Sequence, residues 1–377
     1  MSTAGLGGPV ALIGVGLIGG SLGLALRAGA GVPSVRGFDP AAGALDGALG
    51  RGAITDAAPD IASAVDGADV VVVCAPVGDI PAVVRAVLAA TDERTVVTDV
   101  GSAKGEVLAA LTPAERERFC GGHPVAGGEL AGVAHARDDL FTGATWFLTP
   151  TAETRSDLLQ RVHGMVASVG AVPVAVDPGV HDQLMALVSH LPHVMASGLM
   201  RQAAGTARQG REALRSAGPS FRDLTRVAGA NPTLWADILL SNRGAVLEET
   251  RRLRGELSDV EGALEREDRE WLEGFFAAAA EGRARLLDQE EAVGGEVVRV
   301  TVEVPNRPGV LSEIATVLGH AHINIEDLHL SPARADEPSG VLELDIAGDD
   351  AARRAASLII DRGFRVADGP RPGGVTA

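Results

Sequence analysis

The 377-residue sequence contains no tyrosine, and Lys104 is its single lysine. The missing tyrosine excludes dehydrogenases that depend on a Tyr/Lys pair, and a Schiff-base enzyme would have to use Lys104 alone. A Gly-x-x-x-x-Gly-Lys phosphate loop is also absent. The composition therefore excludes several common kinds of enzyme site before any motif is considered.

Cysteines and long apolar runs are equally scarce. Cys74 and Cys120 are the two cysteines, too few for a disulfide framework or a zinc cluster, so we expect a reducing compartment. The longest apolar run, residues 68–77, is too short to span a bilayer, and residues 1–9 do not resemble a signal peptide. These features predict a cytoplasmic protein without a membrane partner.

Acidic residues outnumber basic ones, 50 to 33, which gives a formal net charge of −17. Because nucleic acid and anionic membrane surfaces repel such a protein, neither is an expected partner. Hydrophobic residues make up 46% of the chain and charged residues 22%, which is typical of a globular protein. A chain of this length accommodates two or three domains.

Short apolar segments alternate with helical patterns through residues 1–176. These segments lack polar alternation, as expected for strands of a parallel sheet that helices cover on both faces. The predicted strands are Val10–Ile13, Val35–Phe38, Val70–Cys74, Val96–Thr98, Trp146–Leu148 and Val172–Val176. This order predicts an α/β domain of the Rossmann type, which binds a dinucleotide.

Residues 177–290 show long helical patterns and no strand pattern, which predicts an all-α domain. Asn231–Pro232 is typical of a helix start, and the pair Ser258 and Glu261 predicts that a further helix begins there with a capping box. The apolar stripes of these helices need partners. We therefore expect the helices to pack on each other and to form the interface of a homodimer.

The pattern returns to strand period in residues 297–370. Val298, Val300, Val302 and Val304 alternate with polar residues, and the segments that follow predict a helix, two strands, a helix and a strand. This βαββαβ order predicts a third, ferredoxin-like domain.

A glycine motif, Gly14-x-Gly16-x-x-Gly19, stands between the first predicted strand and a helix. Gly14 permits the tight turn, Gly16 lets the backbone approach a pyrophosphate, and Gly19 lets the helix pack closely on the strand. Asp39 ends the next strand, where a carboxylate binds both ribose hydroxyls and repels a 2′-phosphate, so we expect NAD rather than NADP. The remaining candidate cofactor contacts are Leu17, Ile18, Ala75, Pro76 and Ser102.

Two further segments offer polar side chains. Ser102 follows a strand end beside the expected nicotinamide crevice, and His123, between glycines and a proline, is predicted to be a loop histidine open to a ligand. Ser189 and His193 belong to a Ser-His-Leu-Pro-His segment whose two histidines share a helix face. No third metal ligand is evident, so we predict no metal site.

Taken together, the motifs resemble the prephenate dehydrogenase family, in an ordered match over nearly all of the first 290 residues. The segments that carry the resemblance are Gly14–Ser21, Asp99–Lys104, Gly122–Glu129, Ser189–His193, Asp223–Arg226 and Asn231–Trp235. One departure is Gly128, where we expect a threonine; it affects one substrate hydrogen bond and leaves the chemistry intact.

The family resemblance implies NAD-dependent oxidation of the ring C4 alcohol of prephenate, with loss of the ring carboxylate as CO2, in tyrosine biosynthesis. It also implies that His123 is the base at the alcohol, and that Ser102 binds the same hydroxyl and orients His123. The implied substrate contacts are Arg226, His193, Ser189, Trp235 and Glu129.

Among these contacts, Arg226 would anchor a substrate carboxylate, because arginine gives planar, bidentate recognition. Trp235 is similar to a family residue that the neighbouring subunit contributes, which fits a homodimer. Glu129 would lie at the entrance of the site.

The C-terminal segment around Asn306-Arg-Pro-Gly309, with Asn324 further on, resembles an ACT domain, a module that binds small amino acids. The resemblance implies that Asn306, Gly309 and Asn324 bind an amino-acid effector, and we expect an aromatic amino acid that inhibits the active site. A ferredoxin-like appendage that only dimerises is the alternative.

Two alternative functions stay open at this level. Arogenate dehydrogenase would use the same chemistry on a substrate with an ammonium group in place of the keto group, and a carboxylate near His193 would distinguish it. A non-catalytic protein that senses NAD and amino acids is the alternative from another class. The sequence leaves open the choice between prephenate and arogenate, the identity of the effector, and any assembly beyond a dimer.

Overall fold

The computed structural model describes most of the chain, in ten segments. They are residues 8–29, 32–127, 130–205, 213–292, 297–305, 307, 309–321, 323–325, 327–331 and 339–372. Two predicted site residues, Glu129 and Asn306, lie outside these segments. Within the described ranges, no helix combines the length and the apolarity that crossing a bilayer requires.

The N-terminal part forms an eight-stranded sheet in the order β3-β2-β1-β4-β5-β6-β7-β8. Its strands are β1 (Val10–Ile13), β2 (Val35–Phe38), β3 (Asp56–Ala57), β4 (Val70–Val73), β5 (Val96–Asp99), β6 (Phe119–Pro124), β7 (Thr145–Thr149) and β8 (Val172–Ala175). Strands β1 to β6 pair in parallel, β7 runs antiparallel to β6, and β8 is parallel to β7. The six predicted strands are all present, and the predicted Rossmann-type fold is confirmed.

Helices cover this sheet. They are α1 (Leu17–Gly29), α2 (Ala44–Gly50), α3 (Ile61–Val65), α4 (Ile80–Ala90), α5 (Gly105–Ala109), α6 (Pro113–Arg116) and α7 (Ser156–Ser168). Strands β1 and β4 are buried at every position, as their unbroken apolar sequences predict, and β5 is also fully buried although it ends in Thr98 and Asp99. Because β1, β4 and β5 pair in parallel, their carboxyl ends meet at one edge of the sheet, where ligands bind in folds of this type.

Strand β6 corrects the prediction that His123 lies in a loop. His123 is the fifth residue of the strand and is 9% exposed. The strand escapes sequence analysis because Gly121 and Gly122 disfavour strands, yet here no other residue fits. A Cβ on Gly121 would lie 2.3 Å from Thr149 Oγ1, and a Cβ on Gly122 would lie 2.5 Å from the Asp99 carbonyl oxygen.

The middle of the chain is helical, as predicted. Its helices are α8 (Pro178–Met185), α9 (Leu191–Gly205), α10 (Pro219–Thr225), α11 (Pro232–Ser241), α12 (Arg243–Glu265) and α13 (Arg269–Ala292). A π-helical turn, Ala186–His190, joins α8 to α9 and places the Ser-His-Leu-Pro-His segment at an irregular point of the backbone. Such turns are frequent at functional sites.

Helix boundaries in this part are partly as predicted. Asn231 caps α11, where its side-chain oxygen accepts a hydrogen bond from the Leu234 N–H at 3.1 Å. The predicted helix start at Ser258 is wrong, because α12 continues through that residue. The helix that begins at Pro232 is instead interrupted at Asn242, which separates α11 from α12. Asn242 donates from its side chain to the Asp182 carbonyl oxygen at 2.7 Å, a contact between distant residues that no local pattern announces.

The C-terminal part forms a four-stranded antiparallel sheet in the order β10-β11-β9-β12. Its elements are β9 (Val297–Pro305), α14 (Val310–His320), β10 (Asp327–Ser331), β11 (Ser339–Ala347), α15 (Asp349–Asp361) and β12 (Arg365–Pro372). The predicted βαββαβ order is confirmed, and the four alternating valines of β9 are buried.

The C-terminal domain packs on the edge of the first domain. Ser312, in the first turn of α14, donates a hydrogen bond to the Pro150 carbonyl oxygen at 3.3 Å, and Gln160 of α7 donates to the Leu330 carbonyl oxygen at 3.4 Å. Gly309 approaches Ala152 so closely that a Cβ on it would lie 3.0 Å from the Ala152 carbonyl oxygen. The start of α14 therefore rests on the loop between β7 and α7.

Candidate active site

The glycine motif has the geometry of a dinucleotide-binding turn. Gly14 has a φ of 103°, and a Cβ on it would lie 2.5 Å from the Cys74 carbonyl oxygen. A Cβ on Gly19 would lie 2.0 Å from the Gly14 carbonyl oxygen, whereas one on Gly16 would meet nothing within 4 Å. Gly14 and Gly19 thus let α1 pack on the strand, and the space beside Gly16 fits a pyrophosphate at the N-terminus of α1.

Asp39 lies directly after β2 beside this turn. Its carboxylate accepts hydrogen bonds from the Val15 N–H at 2.9 Å and from the Ala41 N–H at 2.8 Å. The guanidinium of Arg36 points elsewhere and donates to the Ser63 carbonyl oxygen at 2.9 Å. An acidic group next to the glycine turn, with Arg36 held elsewhere, fits the ribose hydroxyls of NAD better than the 2′-phosphate of NADP.

The other predicted cofactor contacts surround the same edge of the sheet. Leu17 and Ile18 open α1 and are half-buried, and Ala75 and Pro76 follow β4. Ser102 follows β5 and is half-buried. No hydrogen bond joins Ser102 to His123 among the described residues, so its predicted role in orienting that ring stays a prediction.

Lys104 ties the end of β5 to β6. Its ammonium is fully buried and donates to the Asp99 carboxylate and, at 2.8 Å, to the Gly122 carbonyl oxygen. The Asp99 carboxylate also accepts from the N–H groups of Gly101 at 2.9 Å and Gly122 at 3.0 Å. The single lysine of the chain therefore holds the segments that present Ser102 and His123, and it is not available as a nucleophile.

His123 contacts a second histidine that sequence analysis did not single out. Its Nδ1 lies 2.8 Å from Nε2 of His181, and Nδ1 of His181 lies 2.8 Å from Oδ1 of Asp182. Burial lowers the pKa of His123 well below 6.5, and His181, Lys104 and His190 lower it further. The ring is therefore neutral at pH 7, as a general base must be.

The pair His181 and Asp182 stands in the first turns of α8, in the sequence Pro-Gly-Val-His-Asp. Nothing in that sequence marks the pair as functional, because the residue that His181 contacts lies 58 positions earlier in the chain. The ring of Phe147, on the strand next to β6, packs edge-on against His181 with centroids 5.4 Å apart.

The π-helical turn brings His190 and His193 towards the same region. The Nδ1 of His193 lies 2.9 Å from the Ser189 carbonyl oxygen and donates a hydrogen bond to it. Burial lowers the pKa of His190 to about 4, and its Nδ1 lies 3.2 Å from the side-chain nitrogen of Asn242. The described residues contain no group of three ligands placed to hold a metal ion.

Trp235 forms a wall of this region from α11. Its indole stacks on the ring of His193 with centroids 3.5 Å apart, and His190 meets it edge-on at 6.0 Å. Trp235 packs on histidines of its own chain. Its contribution to the site of the neighbouring subunit, which the family resemblance implies, stays a prediction. Arg226 begins a 3₁₀ turn and is exposed. Burial is the largest cause that lowers the pKa of His193, and the positive charge of Arg226 lowers it further.

Of the predicted effector residues, Gly309 and Asn324 are described. Gly309 caps α14 with a φ of 82°, and Asn324 is half-buried before β10. Gly309 thus faces the loop between β7 and α7, and β7 pairs with the strand that carries His123.

Comparison with known proteins identifies the chain. Residues 22–175 match the profile of the prephenate dehydrogenase nucleotide-binding domain, residues 177–278 that of the prephenate dehydrogenase dimerization domain, and residues 298–356 that of the ACT domain. The chain belongs to the prephenate dehydrogenase family. The prephenate dehydrogenase of Bacillus subtilis is 31% identical over 353 residues, which cover 93% of this chain and 95% of that protein.

Two solved structures extend the comparison with the prephenate dehydrogenase family. The prephenate dehydrogenase of Aquifex aeolicus, in complex with hydroxyphenyl propionate and NAD+, has a TM-score of 0.70 at 30% identity and covers 74% of this chain and 98% of its own. The arogenate dehydrogenase of Synechocystis has a TM-score of 0.64 at 26% identity, over 74% of this chain and 99% of its own.

Proposed function

We propose that this chain is an NAD-dependent prephenate dehydrogenase that makes 4-hydroxyphenylpyruvate for tyrosine biosynthesis. The observation that carries the proposal is a neutral histidine, His123, which contacts His181 through its Nδ1 and lies near the carboxyl end of β6, in the same parallel sheet as the dinucleotide-binding turn. Membership of the prephenate dehydrogenase family and the names of its relatives support the same reaction.

The reaction requires little of the protein beyond a base and anchors. A hydride leaves C4 of the ring as the C4 hydroxyl loses its proton, the bond from C1 to the ring carboxylate breaks, and CO2 leaves. The electrons of that bond enter the ring, and the phenolate oxygen that forms takes back one proton. Prephenate has two negative charges and the product one, so the charges balance when NAD+ becomes NADH without release of a proton.

His123 is the base in this proposal. It accepts the hydroxyl proton and returns it to the phenolate oxygen, so that it is neutral again after each turnover. Because its pKa lies well below 6.5, mainly through burial, the ring is unprotonated when substrate arrives at neutral pH. Ser102, at the same sheet edge, binds the substrate hydroxyl.

The cofactor site consists of the glycine turn and Asp39. NAD+, when bound, supplies the hydride acceptor. The backbone at Gly14, Gly16 and Gly19 would hold the pyrophosphate, and the Asp39 carboxylate would accept hydrogen bonds from the ribose hydroxyls. The remaining contacts that we assign to this site are Leu17, Ile18, Ala75, Pro76 and Ser102.

The substrate carries two carboxylates, and Arg226 is the cation that we assign to one of them. We assign Ser189, His193 and Trp235 to the side chain of the substrate, and we retain Glu129, which lies outside the described residues, as a further assigned substrate contact. Of the described charged groups, Arg226 is the one that shifts the pKa of His193. We propose prephenate rather than arogenate because the ammonium group of arogenate needs a carboxylate there, and no carboxylate is among the groups that shift the pKa of His193.

The substrate is tested by NADH formation with prephenate and arogenate in parallel. We expect a higher kcat/KM for prephenate. Turnover of arogenate alone would support the same mechanism and show that the substrate is arogenate rather than prephenate. Turnover of neither compound would leave the non-catalytic, NAD-sensing alternative as the better account.

We propose the domain division 1–176, 177–290 and 297–370, with assembly as a homodimer through the helical domain. Thirteen large apolar side chains among the described residues of that domain are exposed in the single chain, and among the most exposed are Leu187, Val188, Leu224, Leu240, Leu264 and Phe276. A surface of this kind is typical of a subunit interface.

For the ACT domain we propose an aromatic amino acid as effector, bound by Asn306, Gly309 and Asn324.

A further inference from the structure

The carboxylate of Asp182 is fixed by backbone donors from another part of the chain. The N–H of Lys104 donates to Oδ1 and the N–H of Gly105 donates to Oδ2, both at 2.8 Å. A backbone N–H can only donate, and an aspartate carboxylate can only accept. Asp182 therefore stands as a fixed acceptor next to His181.

The direction of every further hydrogen bond follows from this acceptor. Nδ1 of His181 must donate to Asp182 Oδ1, so a neutral His181 has no proton on Nε2. That bare Nε2 lies 2.8 Å from Nδ1 of His123, which must then donate to it. A neutral His123 consequently has its free lone pair on Nε2.

Both rings are neutral in the protein. Burial is the largest cause that lowers the pKa of His181, against the opposing effect of its hydrogen bond to Asp182, and burial also lowers the pKa of His123. If His181 were charged instead, its Nε2 would donate to His123 and the proton of His123 would move to Nε2. The base would then have no lone pair to offer there.

We propose that His181 and Asp182 are positioning residues, which hold His123 in the tautomer with Nδ1 protonated and Nε2 free to accept the proton of the substrate hydroxyl. This inference rests on the proposed function. The same contacts give His123 an acceptor for its Nδ1 proton after it has become an imidazolium in a buried place, where an unpaired charge is costly. Neither residue touches the substrate in this proposal.

Packing around His181 supports a fixed orientation. The rings of His123 and His181 are 76° from parallel with centroids 5.1 Å apart, and Phe147 packs edge-on against His181 with centroids 5.4 Å apart. His123 and Phe147 are directly paired residues of β6 and β7. His181 is fully buried, so water does not offer His123 an alternative acceptor at that position.

The first test reads the tautomer directly, without substrate or NAD. In protein labelled with ¹⁵N-histidine, the ¹⁵N shifts of His123, assigned by comparison with the H123N protein, are expected to show a protonated Nδ1 and a bare Nε2. Asp182→Asn is expected to reduce this preference, because an amide no longer forces the Nδ1 proton onto His181. A wild-type His123 protonated at Nε2 would overturn the proposal, whatever the enzyme turns over.

The second test separates positioning from binding. His181→Leu removes the acceptor and is expected to lower kcat on the order of 10²-fold, less than loss of the base itself, with the KM for prephenate and NAD affinity little changed. His181→Gln, whose side-chain oxygen can accept from His123, is expected to retain more kcat than His181→Leu. His135→Gln, at an exposed histidine of the first domain, is the matched control and is expected to retain wild-type kcat.

Two outcomes of the kinetic test contradict the proposal. One is a kcat within twofold of wild type in His181→Leu, and the other is a His181→Gln protein that folds and is no better than His181→Leu. Thermal unfolding checks that the variants are folded, and if His181→Leu does not fold, the comparison of His181→Gln with Asp182→Asn and the tautomer measurement still decide. Failure of the proposed function would instead appear as no turnover in wild type with the tautomer as expected.

Discussion

The ammonium of Lys104 donates a hydrogen bond to the carboxylate of Asp99, and neither side chain is exposed to solvent. The pair connects β5 to β6 through the backbone of Gly122, directly before His123. A buried ion pair of this kind contributes little net stability but becomes costly when one partner is lost. Its position suggests that it fixes the geometry between Ser102 and His123.

Lys104→Met is therefore expected to destabilise the protein by roughly 3–5 kcal/mol, because the Asp99 charge would be left buried and unpaired. Denaturant unfolding measures the change. Arg94→Ala is the matched control, since it breaks an ion pair with Asp92 whose side chains are 90% and 60% exposed, and it should cost less than about 1 kcal/mol. Equal stability of Lys104→Met and wild type would contradict this interpretation.

Arg226→Ala is expected to raise the KM for prephenate by roughly 10- to 100-fold, the value of a hydrogen bond to a charged group, with a smaller effect on kcat. Arg226→Lys should recover part of the loss, because lysine keeps the charge but not the bidentate geometry. Arg251→Ala, at an exposed arginine of α12, is the control. An unchanged KM in Arg226→Ala would show that the substrate carboxylate is anchored elsewhere.

Asp39→Asn tests the cofactor preference. The amide removes the negative charge that repels a 2′-phosphate, so the ratio of kcat/KM for NAD to that for NADP should fall by about tenfold or more. Arg36→Ala should leave the ratio unchanged, because the Arg36 guanidinium is held by the Ser63 carbonyl oxygen. If Asp39→Asn left the ratio at its wild-type value, the assignment of Asp39 to the ribose would be wrong.

Some of the features on which these expectations depend could be predicted from the sequence, and others could not. The glycine turn, Asp39 and the valines of β9 were predictable, because a strand, a turn and a period of two are local patterns. Strand β6 was not, since Gly121 and Gly122 disfavour a strand and are required only by the close approach of Thr149 and Asp99. Contacts between distant residues account for the rest.

The pair His181 and Asp182 and the boundary between α11 and α12 depend on contacts between distant residues. His181 contacts a residue 58 positions away, and Asn242 donates to the Asp182 carbonyl oxygen 60 positions away. Neither contact leaves a periodic trace in the sequence. Asn231, by contrast, caps its own helix and was predicted correctly.

The pH dependence of kcat/KM should follow the protonation of His123 in the free enzyme. Its pKa is lowered well below 6.5 by burial and by His181, Lys104 and His190, so the neutral base persists as the pH falls through 6.5. Activity should therefore be constant from about pH 8 to below 6.5 and decline only at lower pH. Initial rates of NADH formation measure the profile, and an acid limb centred above 6.5 would contradict the assignment.

The role of His123 itself is tested by His123→Ala. We expect kcat to fall by roughly 10²–10⁴-fold, the usual contribution of a general base, while the affinity for NAD changes little because the glycine turn and Asp39 are untouched. Binding of NAD to the variant, followed by intrinsic tryptophan fluorescence, separates loss of chemistry from loss of cofactor. Wild-type turnover in the variant would remove His123 from the mechanism.

The most direct measurement follows NADH, CO2 and 4-hydroxyphenylpyruvate together when wild-type protein is supplied with NAD+ and prephenate. The proposed reaction predicts that each prephenate consumed yields one molecule of each product, with no proton released beyond those from hydration of CO2. Binding of both compounds without formation of NADH, or formation of NADH without CO2, would contradict it.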